Sequence, residues 1–152
     1  MRSLATCRPE PLKNSMPHFA HVTPRLPVAD LARMMAFYCG HLGFAVDILW
    51  PESRPTFAIL RRDGTSVGFF EPSEHQPEPV GYAELYIEVT EASALHDLVR
   101  GSIRIEWGPE VYSYGRREFA LRDPDGYLVI FTEPTDDPPT TNEPGTGEGP
   151  PA

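Results

Sequence analysis

The chain has 152 residues, the size of one globular domain, and its 40% hydrophobic content, with eight Phe, six Tyr and two Trp, suffices for one core. A formal net charge of −9 disfavours nucleic acid as a partner, because an acidic surface repels phosphate backbones, and would attract a cationic small molecule. The sequence has neither a signal-peptide pattern nor an apolar run of about 20 residues, and this predicts a cytoplasmic protein with no membrane partner.

The first organised segment alternates apolar and other residues. HVTPRLPV, from His21, has the period of two that predicts a strand, and Asp30 is placed to cap a helix that ends near Cys39. Three strands are predicted next, the last two joined by an Asp-Gly turn: FAVDILW, TFAILRR and TSVGFFEP. This half of the chain is predicted to be βαβββ.

The second half has the same pattern. YAELYIEV predicts a strand, and a helix is expected from about Glu91 to Arg100 with Thr90 as its cap. Three further strands are predicted, the last two joined by the turn sequence DPDG: IRIEW, REFALR and YLVIFTE.

Two similar segments indicate an internal duplication. RRDGTSVGFFEP occupies positions 61–72, and RDPDGYLVIFTEP occupies 122–134. The duplication predicts one domain over 16–133, with module one at about 18–72 and module two at about 81–133. The flanking residues 1–15 and the acidic, Pro- and Gly-rich residues 134–152 are predicted to be a disordered leader and tail.

Each module is expected to form a four-stranded antiparallel sheet covered by one helix. One helix buries one face of the sheet and leaves the other open. With two modules in one chain, the two open faces can close around a cavity.

Two stretches, LPVADLARMMAFYCGHLGF and REFALRDPDGYLVIFTEP, resemble the vicinal oxygen chelate superfamily, which includes glyoxalase I, extradiol dioxygenases and bleomycin-resistance proteins. GRREFALRDPDG, together with Pro24 six residues before Asp30, is most similar to the bleomycin-resistance branch. The resemblance spans about 18–134. It implies an α+β fold in which two βαβββ modules form a curved mixed sheet with a cleft, in a homodimer whose subunits share the cleft.

The resemblance also allows a test for a metal site. In metal-dependent members, the ligand positions correspond here to Thr23, Gly68, Glu84 and Ile130, of which only Glu84 can ligate. A divalent metal held by protein needs three or four N, O or S ligands. We therefore expect no metal, no other cofactor and no catalytic residue. A metal-dependent enzyme of the glyoxalase or dioxygenase type, with a site rearranged around His21 and Glu84, is the alternative.

Strand alternation predicts which side chains line the cleft. The ligand-equivalent positions and their neighbours two residues away include Arg25, Phe70, Tyr82, Tyr86 and Thr132. The opposite face collects the apolar set Val22, Leu26, Val28, Val67, Phe69, Leu85, Ile87, Val89, Val129 and Phe131. Asp47 and Phe57 are included in the site because they resemble drug-contacting positions of the bleomycin-resistance family. The predicted ligand-binding residues are Asp47, Trp50, Phe57, Phe70, Tyr82, Glu84, Tyr86, Trp107, Tyr114 and Ile130.

An aromatic face that contains a carboxylate suits an organic cation. The predicted function is therefore a metal-free binding protein that sequesters a small, cationic, aromatic compound and gives bleomycin-type antibiotic resistance. A third possibility is an interaction module whose cleft is incidental.

Overall fold

The fold repeats one order of elements, a strand, a helix and three strands. The computed structural model describes residues 20–73 and 83–141. Module one consists of β1 (Arg25–Pro27), α1 (Leu31–Leu42), β2 (Ala45–Trp50), β3 (Phe57–Arg62) and β4 (Thr65–Phe70). Module two consists of β5 (Glu84–Glu88), α2 (Ala92–Val99), β6 (Ile105–Tyr112), β7 (Arg116–Arg122) and β8 (Leu128–Pro134). The predicted α+β fold of two βαβββ modules is confirmed.

The two sheets have the same strand order. Module one forms the order β1-β4-β3-β2, and module two forms β5-β8-β7-β6. In each sheet the first strand is parallel to the last, with Arg25 opposite Gly68 and Tyr86 opposite Ile130, while the other pairs are antiparallel. The sheets are therefore mixed, as the family resemblance implied, and not wholly antiparallel, as was expected for each module. The reason is that the two strands joined across each helix run in the same direction.

The predicted helix-covered face forms the core. Its residues are buried in a single cluster that includes side chains of both modules: Leu26, Val28, Val67, Phe69, Leu85, Val129 and Phe131. Val22 was assigned to this face incorrectly, since it is 85% exposed. It lies ahead of β1, which begins only at Arg25, and Pro24 has no N–H to extend the ladder.

The repeated Glu-Pro pair has a structural role in each module. Glu71 Oε1 accepts a hydrogen bond from Leu31 N at 3.1 Å, and Glu133 Oε2 accepts one from Ala92 N at 2.7 Å. Each glutamate thus satisfies a backbone donor at the start of the helix in its own module. The prediction of Thr90 as the cap of α2 was wrong. Glu133, which lies on β8, accepts the hydrogen bond from the start of this helix instead. Asp30 caps α1 as predicted, accepting from Arg33 N at 3.0 Å.

The two modules meet at the DPDG turn of module two. Tyr38 on α1 donates to Asp123 Oδ2 at 2.9 Å in a buried hydrogen bond. Ala29 N donates to Asp125 Oδ2 at 2.8 Å, and Tyr127 donates to Pro27 O at 2.7 Å. These bonds and the shared core join the modules into one unit.

The predicted flanks lie largely outside the described residues, which include neither the leader at 1–15 nor residues 142–152 of the tail. The described part of the tail is hydrogen-bonded to the β6–β7 hairpin. Thr135 N donates to Gly115 O at 3.0 Å, and Thr140 N donates to Val111 O at 2.8 Å. Among the described helices, none is long and apolar enough to cross a membrane.

Asp123 is predicted to make stability depend on pH. Burial raises its pKa to about 6, although bonds from Tyr38 and two backbone N–H groups favour the charged form. Because the folded-state pKa exceeds the unfolded one, this contribution to the free energy of unfolding is full below about pH 4 and is lost as pH rises through about 6.

Urea unfolding of the wild type and of Asp123→Asn at pH 4 and pH 7.5 measures this contribution. The free energy of unfolding of the wild type should fall relative to that of the variant by about 3 kcal/mol between the two pH values. Asp136→Asn, at an exposed position, is the control and should behave as the wild type. If the free energies of unfolding of wild type and Asp123→Asn differ by the same amount at pH 4 and pH 7.5, the prediction is contradicted.

Candidate functional site

A buried carboxylate lies at the centre of the open face of the second sheet. Glu118 on β7 is 3% exposed. Its Oε1 accepts from the Tyr86 hydroxyl and, at 3.2 Å, from Thr132 Oγ1, while its Oε2 accepts from the Tyr114 hydroxyl at 3.1 Å. Three hydroxyl donors therefore hold this carboxylate without a cation among them.

The alternation of β7 explains this position. Phe119 and Leu121 are directed into the core, so Glu118 and Ala120 occupy the opposite face. The register places Glu118 opposite Thr132 on β8 and opposite Glu110 on β6.

Aromatic rings surround the carboxylate. Tyr112 stacks on Tyr114, with ring centroids 5.2 Å apart, and Trp107 meets Tyr112 edge-on at 6.1 Å. Trp107 packs against an apolar patch of Ala120, Leu128 and Ile130, and its buried Nε1 has no hydrogen-bond partner within the described part of the chain. Tyr86 and Tyr114 are 56% and 52% exposed, so their rings form the outer surface of this cluster.

The hydroxyls beside Glu118 remain donors at physiological pH. Burial raises the pKa of Tyr86, and its hydrogen bond to Glu118 raises it further. Burial likewise raises the pKa of Tyr114, followed by the charge of Glu118 and its hydrogen bond. A protonated phenol can donate to the carboxylate, and this keeps Glu118 oriented.

The open face of the second sheet is acidic. Arg116 lies two residues before Glu118 on the same strand face, but it pairs with Glu88 at 2.7 Å. Glu84 and Glu110 also belong to this face by strand register. A positive group that approached it would meet more carboxylates than guanidinium groups.

The open face of the first sheet is an aromatic row. Trp50 is opposite Phe57, and Phe57 is opposite Phe70, so three rings cross adjacent strands. The Arg25 guanidinium lies over the Phe57 ring, 4.6 Å from its centroid. A cavity of about 570 Å³ adjoins the row and is lined by Arg25, Trp50, Thr56, Phe57, Phe70, Glu71, Pro72 and Ser73.

The structure distributes the predicted site residues over two sheets. Trp50, Phe57 and Phe70 lie together on the first sheet. Asp47 lies where the register of the β2–β3 pair shifts, and it forms an ion pair with Arg61 at 3.0 Å. The second sheet holds Glu84, Tyr86, Trp107 and Ile130, and also presents Tyr114 at its β6–β7 turn; Tyr82 lies outside the described residues.

In the part of the chain that the structure describes, both open faces keep aromatic rings exposed. Trp50 is 65% exposed on the first sheet, and Tyr86 and Tyr114 are exposed on the second. Within residues 20–73 and 83–141, the two modules therefore do not enclose these rings in a closed cavity, although the open faces were expected to close around one. The modules instead meet through α1 and the DPDG turn.

Sequence reasoning missed Glu118, although a usable signal was present. REFALR alternates with the same period of two as the first and last strands of its module. The same period along this strand places Phe119 and Leu121 in the core and Glu118 on the open face.

The ligand-equivalent positions do not fit a divalent metal. Thr23 Oγ1 is hydrogen-bonded to Ser66 Oγ at 2.6 Å, Gly68 has no side chain, and Ile130 is buried and aliphatic. Glu84 is exposed and has no neighbouring donor at these positions. Within residues 20–73 and 83–141, no three His, Cys, Asp or Glu side chains are grouped to hold a metal.

The chain is similar to known proteins over most of its length. A family model described as the Glyoxalase/Bleomycin resistance protein/Dioxygenase superfamily matches residues 16–131. A bleomycin resistance protein of Geobacillus stearothermophilus is 26% identical over 133 residues, which covers 71% of this chain and 92% of the relative.

Solved structures share the fold. TnmS3, an antibiotic binding protein from Streptomyces sp. CB03234, matches with a TM-score of 0.64 and 19% identity, covering 79% of this chain and 100% of that chain. A bleomycin-binding protein complexed with bleomycin matches with a TM-score of 0.59 and 22% identity, covering 76% of this chain and 98% of that chain.

Removal of the Glu118 charge should lower the pKa of Tyr86 and Tyr114, because both the hydrogen bond and the negative potential that favour the neutral phenol are lost. Carbon-13 NMR titration of ring-labelled tyrosine in Glu118→Gln measures each phenol separately. Glu110→Gln is the matched control and should act chiefly on Tyr112, whose hydroxyl donates to Glu110 at 2.9 Å. Unchanged Tyr86 and Tyr114 titrations in Glu118→Gln would contradict the assigned network.

Proposed function

The chain belongs to the Glyoxalase/Bleomycin resistance protein/Dioxygenase superfamily, and we propose that within it this protein binds and sequesters a small aromatic cation of the bleomycin type, without a metal. Sequestration would lower the concentration of the compound by mass action and so give resistance in the cytoplasm. Binding alone is sufficient for this role, and no catalytic residue is required.

The buried Glu118 carboxylate is the single observation that carries the proposal. Three hydroxyl donors fix its orientation before a ligand arrives. A cationic group brought near Glu118 would interact with a carboxylate shielded from water, where charge pairs are stronger than at an exposed surface. The exposed rings of Tyr86 and Tyr114 would add cation–π contacts of about 1 kcal/mol each.

The uncovered faces support a homodimer. Each module offers an aromatic face that its own helix cannot reach, and the described residues of one chain leave Trp50, Tyr86 and Tyr114 on these faces exposed. We propose that a second copy places its first sheet against the second sheet of this one. The ligand would then lie between the aromatic row around Trp50 and the cluster around Glu118.

The relatives support this class of ligand. The Geobacillus stearothermophilus relative is a bleomycin resistance protein, and this chain spans 92% of its length. The solved structures support the shared fold, on which antibiotic-binding proteins are built. The Glu118 site supports the proposed positive charge of the ligand, and the relatives support the proposed bleomycin type, since a shared fold alone does not identify a ligand.

The enzymatic alternative has less support. A glyoxalase- or dioxygenase-like site rearranged around His21 and Glu84 would need at least one further ligand, and no group of three such side chains occurs in the described ranges. His21 is exposed and precedes β1. The interaction-module alternative leaves the buried Glu118 carboxylate without a role.

Calorimetric titration with bleomycin, with and without copper or zinc, tests the proposal. We expect saturable, stoichiometric binding without conversion of the ligand. Glu118→Gln and Tyr86→Ala should each weaken binding by about tenfold or more, because a desolvated charge pair or a ring contact is lost.

Glu84→Gln is the matched control on the same face. Glu84 is exposed, so loss of its charge should weaken bleomycin binding less than about threefold. A Glu118→Gln variant that binds bleomycin as the wild type does would overturn the assigned site. Turnover of the ligand, or stoichiometric metal in the purified protein, would favour the enzymatic alternative.

A further inference from the structure

Arg25 is held against aromatic rings by the absence of a side chain at position 68. Gly68 lies opposite Arg25 in the parallel β1–β4 pair. A Cβ atom at position 68 would lie 2.9 Å from Arg25 Cγ, too close for an unshifted side chain. The glycine therefore leaves room for the Arg25 stem, and the guanidinium lies 4.6 Å from the Phe57 centroid and 5.6 Å from that of Phe70.

The donors of Arg25 have no acceptor among residues 20–73 and 83–141. A guanidinium has five N–H donors, but no hydrogen bond or ion pair joins Arg25 to a described side chain or carbonyl. Arg61 on the same sheet differs, because it pairs with Asp47 at 3.0 Å. Glu71 lines the same cavity as Arg25, but its Oε1 accepts from Leu31 N.

Stacking makes this arginine different from an ordinary exposed one. Arg33 also lacks a side-chain partner among the residues that the structure describes, but no ring contact holds it. The Phe57 and Phe70 rings restrict Arg25, so less side-chain entropy is lost when an oxyanion binds. A planar guanidinium matches a carboxylate or a sulfonate in geometry as well as charge.

An aromatic surface adjoins the guanidinium. Trp50 is opposite Phe57 and largely exposed, and both line the 570 Å³ cavity with Arg25. A planar ring can stack on Trp50 while a negative group on that ring reaches Arg25. Thr56 and Ser73 also line the cavity.

We propose that the first sheet has its own binding site for an aromatic anion, in which Arg25 binds the oxyanion and Trp50 and Phe57 bind the ring. Arg25, Trp50 and Phe57 all belong to module one, so the test on Arg25 can fail while the Glu118 site stands. In the proposed homodimer this row would face the Glu118 cluster of the second copy, and the anion site then deepens the proposed function. A compound that occupied both sites would have opposite charges at its two ends.

Fluorescence titration of the full chain with 1-anilinonaphthalene-8-sulfonate tests the site, and N-phenyl-1-naphthylamine serves as the uncharged probe of the same ring system. Arg25→Gln should weaken sulfonate binding about tenfold and change binding of the uncharged probe less than about twofold. Trp50→Ala should weaken both probes. Arg61→Gln is the matched control and should leave both affinities as in the wild type, because Arg61 already pairs with Asp47.

Gly68→Ala gives a second, independent variant. It retains Arg25 but fills the space that the Arg25 stem occupies, so the sulfonate should again bind more weakly than in the wild type. Circular dichroism verifies that each variant is folded. Arg25→Gln remains the deciding variant if Gly68→Ala does not fold.

Two outcomes would overturn the proposal. In the first, Arg25→Gln weakens both probes equally or neither. In the second, sedimentation velocity finds that Arg25→Gln dissociates an assembly of copies and that the loss of sulfonate binding follows that dissociation. The partner of Arg25 would then be a carboxylate of a second copy and not a small-molecule anion.

Discussion

A single helix can cover only one face of a four-stranded sheet, and the arrangement of this protein follows from that constraint. In each module the covered face supplies the shared core, while the other face keeps aromatic side chains exposed to solvent. Exposed aromatic groups in adjacent positions are unfavourable in water, so such faces become stable when a ligand or another copy covers them. The proposed ligand and the proposed homodimer both satisfy this requirement.

The duplication separates structural residues from binding residues. Glu71 and Glu133 are equivalent, and each satisfies the start of the helix in its own module. Arg25 and Tyr86 occupy equivalent places in the parallel strand pairs, yet one is a cation over phenylalanine rings and the other donates to a buried carboxylate. The same scaffold therefore presents two faces of different charge.

Glu118 illustrates how a carboxylate can be buried with no ion pair to another described residue. Removal of a carboxylate from water is unfavourable unless hydrogen bonds replace the lost solvation, and three hydroxyl donors supply them here. A polar network of this kind is rigid, and it keeps the negative group in place beneath exposed rings. A fixed carboxylate beneath exposed rings is better suited to the recognition of a cation than to a general role in solubility.

The amino-acid pattern by itself determined the two modules, the Asp30 cap and the face on which Val67, Phe69, Val129 and Phe131 are buried, because periodicity and capping act over a few residues. Only the tertiary structure decided that Glu133 replaces Thr90 at the start of α2, since those positions are distant in the chain and meet through strand pairing. The same holds for the hydroxyl network of Glu118, which depends on the registers of neighbouring strands. How the two modules pack depends on contacts such as the hydrogen bond from Tyr38 to Asp123. These residues are far apart in the chain, so no local sequence pattern predicts their contact, nor that the described residues leave both open faces exposed.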